Sequence, residues 1–195
     1  MELESLTIDE ARAAVAAGET TATALAELHY ARIDSHDGEI NSFLALSRDR
    51  AMAQAAKIDG MAVRAETLPA LAGVPVGIKD VLVMQGAPAT AGSLILKGYR
   101  PPYEATAVRK LEAAGAVLLG KLNCDEFAVG SSNENSAYGP VLNPRALDRV
   151  PGGSKMVRTA DPTRQSDFGR ASRSTARGSW PLDRSSGPEI GRAHV

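Results

Sequence analysis

"GVPVGIKDVLVMQG", residues 73–86, reads as a buried strand with one foreign residue in it. Val74, Val76, Ile78, Val81, Leu82 and Val83 are apolar, glycines punctuate the run, and Lys79 stands in the middle. An ammonium group in dry surroundings is costly unless it has a partner or a task. On residue type alone two readings of Lys79 stand. It is a strand-end lysine paired with a carboxylate such as Asp80, or an amine set among apolar groups to do chemistry.

Downstream, "GAPATAGSLILKGYRPPYEAT" is dense in turn residues and leads to "ATAVRKLEAAG" (105–115), a helix closed by Gly115. The chain then passes directly into "AVLLG" (116–120), a short apolar strand. A helix that hands the chain through a glycine to a buried strand is the mark of an α/β layer. Upstream lie three predicted helices. The first opens on a Thr7/Glu10 capping-box pattern and stops at Gly18; the second runs over 23–33 with Leu25, Leu28 and Ile33 on one face; the third runs from Ser47 to Gly60. No internal repeat is visible.

The totals exclude several function classes. The 195 residues carry a net charge of −1 and have an isoelectric point near 6.3, which gives no electrostatic footprint for nucleic acid or a membrane surface. No apolar run approaches the roughly 20 residues of a membrane span, and "MELESLTIDEARAAV" lacks the pattern of a secretory leader. A cytoplasmic protein is the expectation. Cys124 is the single cysteine, so neither a disulfide framework nor a cysteine-based metal site is predicted. Asp125 and Glu126 beside it read as a cap or a solvated face, since adjacent residues point apart and no ligand spacing follows.

A seam lies near Ser154. Residues 1–154 hold 14 basic against 19 acidic side chains, whereas residues 155–195 hold eight against four. The latter stretch is rich in Arg, Ser, Gly and Pro and shows neither helical nor strand periodicity. The expected organisation is therefore a domain portion over 1–154 and an unrelated, irregular tail over 155–195.

Four stretches resemble the amidase signature family: "GVPVGIKD" (73–80), "TAGS" (90–93), "GKLNCDEFAVGSSNENSAYGPVLNP" (120–144) and "VPGGS" (150–154). Any one is weak; four in order and in register are specific. Together with "LTIDEARAAVAAGE" and "INSFLAL", the loop "DEFAVGSSNENSAYGPV" is most similar to the A-subunit branch of the glutamyl-tRNA(Gln)/aspartyl-tRNA(Asn) amidotransferases. The resemblance covers residues 1–154. It implies an amidase-signature α/β fold with a mixed central sheet flanked by helices, present here in truncated form.

The resemblance also implies a serine–serine–lysine triad. Lys79 matches its lysine and Ser154 its bridging serine, which in the family follows a cis peptide bond; Gly130, Ser131 and Ser132 match lining of the amide pocket. The nucleophilic serine of the family lies some two dozen residues further on, where this chain reads "TARGSWP"; Ser179 is near but the motif around it is missing, so no nucleophile is assigned and the chain by itself is expected to be inactive. The implied substrate is glutamine. The implied partners are the B and C subunits of a heterotrimer and, through them, misacylated tRNA. No cofactor is expected in this chain, ATP and magnesium being used by a partner subunit. Another small-amide hydrolase of the same family, and a non-catalytic fragment, remain as alternatives.

Overall fold

The computed structural model describes residues 6–151 and the backbone of 157–159. Helix α1 (Ile8–Ala17) starts as its sequence predicts: Thr7 accepts from Glu10 N while Thr7 N donates to Glu10 Oε2, and Gly18 closes the helix at φ +72°. Helix α2 (Ala22–Ile40) runs seven residues past the predicted end. Its terminus is set by chemistry the helical period does not carry. Asn41 takes the left-handed conformation, and the Asp37 carboxylate accepts from Ser42 N, Ser42 Oγ and Phe43 N. Its buried face is Leu25, Ala26, His29, Tyr30 and Ile33; Leu28, predicted on that face, is exposed.

Strand β1 (Phe43–Leu46) follows, then α3 (Arg48–Val63), β2 (Pro75–Lys79), α4 (Thr106–Ala113) and β3 (Val117–Leu122). The predicted strand over 74–83 ends at Lys79 because Asp80 enters a turn, with Leu82 N donating to Lys79 O. The short β4 (Val157–Thr159) completes a four-stranded sheet of order β1-β3-β2-β4. Only β2 and β3 run parallel, joined by the α4 crossover, while β1 and β4 lie antiparallel at the two edges. Within the stretch 155–195, expected to be irregular, these three residues are thus paired as a strand. The remainder of that stretch lies outside the described residues.

Side-chain alternation along β3 divides the core into two layers. Val117 and Leu119 pack into the cluster of α1, α2 and α3 with Val15, Leu25, Tyr30 and Ile58. Leu118 packs on the other face with Val76, Ile78, Met84 and Val108 of α4. Polar ties hold the layers in register: Tyr30 Oη donates to Leu119 O at 2.9 Å and Ser47 Oγ to Leu118 O at 2.8 Å. Arg50 of α3 reaches Glu112 and Glu104 at 2.7 and 3.0 Å, and its hydrogen bond holds the Glu112 carboxyl below the usual range.

Candidate active site

In a doubly covered α/β sheet, chemistry collects where parallel strands end. Lys79 is the last residue of β2, paired in register with Leu122, the last residue of β3. The chain after Lys79 carries "TAGS", and the chain after Leu122 carries the loop "NCDEFAVGSSNENSAYGPVLNP". Lys79 is buried, only 6 % exposed, in a strand buried at every position.

Strand alternation turns Asp80 to the opposite face from Lys79. There Asp80 Oδ1 accepts from Lys121 Nζ at 2.8 Å, both side chains being almost wholly buried. The carboxylate that residue type offered to Lys79 is therefore held by Lys121. Lys121 Nζ also donates to Pro88 O at 3.0 Å and Asp80 O at 3.3 Å, so its three protons all have acceptors. Asp80 Oδ2 accepts from Thr90 N at 2.8 Å and Thr90 Oγ1 at 2.5 Å. A single carboxylate thus ties "TAGS" to both central strands.

The 90–93 turn is fitted against the loop that follows β3. A Cβ on Gly92 would stand 2.4 Å from Cys124 O, so only glycine allows this approach, and at φ +67°. Phe127 N donates to Ala91 O at 2.7 Å and Ala137 N to Gly92 O at 2.8 Å. Ser93 Oγ, fully buried, donates to Glu126 Oε1 at 2.5 Å.

The loop itself is organised by two buried side chains. Asn123 Oδ1 accepts from Cys124 N and Ser136 Oγ, and its amide donates to Asn41 O and Gly139 O. Asp125 accepts from Asn133 N and Asn135 N at 3.0 Å each, and a Cβ on Gly130 would fall 2.5 Å from its carboxyl carbon. The segment Gly130–Ser132 is therefore wound around Asp125, with Gly130 and Ser131 exposed and Ser132 half-buried. Asp125 acts as a loop cap, buried rather than solvated; Glu126 is the partner of Ser93. Cys124 is buried beneath this arrangement. Burial, then Asp80, raises its thiol pKa to about 11, with Lys79 and Lys121 opposing. Among the described residues no group of three or more His, Cys, Asp or Glu side chains is placed to hold a metal ion. Ser154 and the two glycines before it lie outside the described residues, as does Ser179.

Of the sequence-predicted site residues, the structure thus places Lys79 and the Gly130–Ser132 segment at one end of the sheet. Sequence reasoning passed over Lys121 and the role of Asp80. The signal was available: Lys121 interrupts the apolar run "AVLLGKL" as Lys79 interrupts its own.

Residues 24–155 match the Amidase family. The chain belongs to that family. Its residues are 63 % identical over 154 positions to the A subunit of the glutamyl-tRNA(Gln) amidotransferase from Koribacter versatilis, covering 79 % of this chain and 32 % of that protein. The protein of the same name from Anaeromyxobacter sp. (strain K) is 56 % identical over 153 residues, covering 78 % and 31 %. Among solved amidase structures, the native peptide amidase of Stenotrophomonas maltophilia superposes with a TM-score of 0.70 at 32 % identity, covering 77 % of this chain and 32 % of that one. The A subunit of the Thermotoga maritima glutamyl-tRNA(Gln) amidotransferase superposes with a TM-score of 0.61 at 33 % identity, covering 79 % and 30 %. The amidase-family chain described here therefore spans about a third of the length of these relatives. Its mixed α/β architecture, a small sheet flanked by helices, is part of the amidase-signature fold. Among the described residues no helix is long and apolar enough to cross a membrane.

Proposed function

We propose that this region belongs to the glutaminase subunit of a tRNA-dependent amidotransferase, with Lys79 as the proton carrier. The observation that carries the reading is the position of Lys79 at the buried end of the central parallel pair, where the motif loops meet. Hydrolysis of a carboxamide needs a nucleophile, a base to activate it and an acid for the departing amine. An amine can be that base only while neutral. In this scheme Lys79 takes a proton from Ser154 and Ser154 takes one from a nucleophilic serine, which attacks the amide carbonyl. The relay reverses to protonate the amide nitrogen, the C–N bond breaks to release ammonia, and water then hydrolyses the serine ester. The Gly130–Ser132 segment lines the amide pocket. Ammonia passes to the B and C subunits, where ATP and magnesium activate misacylated glutamyl- or aspartyl-tRNA. The compartment proposed is the cytoplasm.

The identities of 63 % and 56 % to subunits of that name support this substrate. The TM-score of 0.70 to a peptide amidase, against 0.61 to the Thermotoga protein, favours a second reading, hydrolysis of another small amide. Ammonia release from glutamine separates the two. In a full-length subunit carrying this region and assembled with its B and C subunits, Lys79→Ala should abolish that release while leaving synthesis from free ammonium unchanged. Retained glutamine turnover in that variant would refute the role of Lys79, and turnover of other amides but not glutamine would favour the second reading. Residues 1–195 alone, without the nucleophile motif, should release no ammonia above a blank. Lys79-dependent release from them would overturn that expectation.

A further inference from the structure

The pair Lys121–Asp80 lies outside the proposed proton relay, yet it is the most deeply buried charge pair among the described residues, at 0 % and 1 % side-chain exposure. Burying two charges gives little net stability by itself, whereas removing one partner strands the other. Where such a pair is found at a strand end, its geometry is the thing to read.

Every arm of this pair ends on the turn that follows β2. Lys121 Nζ holds Pro88 O at 3.0 Å, and Asp80 Oδ2 holds Thr90 N and Thr90 Oγ1 at 2.8 and 2.5 Å. The held turn then grips the pocket loop. Ala91 O and Gly92 O accept from Phe127 N and Ala137 N, Ser93 Oγ donates to Glu126 Oε1, and Tyr138 Oη reaches Ser93 O at 3.4 Å. The chain of contact is continuous from a lysine of β3, through a carboxylate next to Lys79, to both limbs of the loop carrying Gly130, Ser131 and Ser132.

We infer that Lys121 and Asp80 are positioning residues: together they latch the 88–93 turn to the sheet and so set where the amide pocket stands relative to Lys79. The latch is a statement about this chain's own structure. Its consequence for substrate binding rests on the amidase reading above.

Amide hydrogen exchange in the full chain tests the latch without any catalytic assay. The reporters are the Phe127 and Ala137 amides, which donate to the turn; the Ser47 amide, which donates to Leu119 O, reports opening of the sheet as a whole. Lys121→Met and Asp80→Asn should each speed exchange at Phe127 and Ala137 by about tenfold or more relative to Ser47, because each strands one buried charge and loosens the turn. Lys121→Arg, which keeps the charge and its donors, should restore most of the protection. Phe127 and Ala137 rates that stay at those of the parent chain overturn the inference. Should a single variant open throughout, so that Ser47 speeds equally, the double variant Asp80→Asn/Lys121→Met decides: it removes both charges, and no recovery at Ser47 overturns the pairing.

In a full-length subunit, Lys121→Met should raise KM for glutamine by about tenfold or more and Lys121→Arg should reverse it. A fall in kcat at constant KM that matches the loss of folded protein counts against a positioning role. Absence of any glutamine turnover in the unmodified subunit would defeat the glutaminase reading instead, leaving the exchange result to judge the latch.

Discussion

Replacing Gly92 by alanine puts the fit between the 90–93 turn and the loop after β3 under a direct load. Gly92 sits at φ +67°, and its added Cβ would stand 2.4 Å from Cys124 O. An unstrained carbon–oxygen approach is about 3.3 Å, so the backbone must part by about 0.9 Å. The neighbouring carbonyl cannot yield freely, because Cys124 N is bonded to Asn123 Oδ1 and Ala137 N holds Gly92 O itself. Left-handed backbone at alanine costs about 1–2 kcal/mol. Overpacking against a fixed backbone adds about 1–3 kcal/mol. Gly86 supplies the control: φ is +80°, but nothing lies within 4 Å of its added Cβ, so Gly86→Ala bears the conformational cost alone. The two variants should therefore differ by about 2 kcal/mol in urea-induced unfolding followed by circular dichroism. With a slope near 2 kcal/mol per molar urea, that is a separation of about 1 M between their midpoints. Midpoints within about 0.2 M of each other would refute the close approach, since both glycines would then matter only through φ.

Two further outcomes follow from the same packing. The Cys124 thiolate, followed by its ultraviolet absorbance, should form with a midpoint near pH 11, against 9.0 for an unperturbed thiol. Because the folded state binds this proton more tightly, the contribution is fully present below pH 9 and is lost as pH rises to about 11, a loss of about 2–3 kcal/mol that Cys124→Ala should remove from the pH–stability curve. A thiolate midpoint at or below pH 9 in the folded protein would contradict the burial of the thiol. Leu25→Ala, at a position 1 % exposed, should cost about 2–5 kcal/mol in unfolding free energy. Leu28→Ala, at 41 % exposure, should change it by no more than about 0.5 kcal/mol; equal effects would mean that the face of α2 has been misassigned.

Much of the architecture is written in local pattern. The capping box at Thr7, the stops at Gly18 and Gly115, the strands at 74–83 and 116–120 and the helix between them are each decided by neighbours within a few positions and form there. The first strand nevertheless ends at Lys79, and α3 runs past the predicted stop at Gly60 to Val63. Lys79 is legible for the same reason, as a charge inside an apolar run. Contacts that the apolar pattern does not carry decided the rest. The end of α2 depends on Asp37 meeting Ser42 and Phe43, and β1 forms as a strand because β3 offers it an edge. The choice of Asp80's partner depends on which face of the sheet it turns to, and that face is set by register with a strand about forty residues away. Sequence alone therefore determined that a lysine would lie within a buried, strand-forming apolar run, because burial follows composition; that it ends a parallel pair came from the structure. Only the tertiary structure decided which carboxylate answers which amine, because hydrogen bonds are directional and require both partners in place.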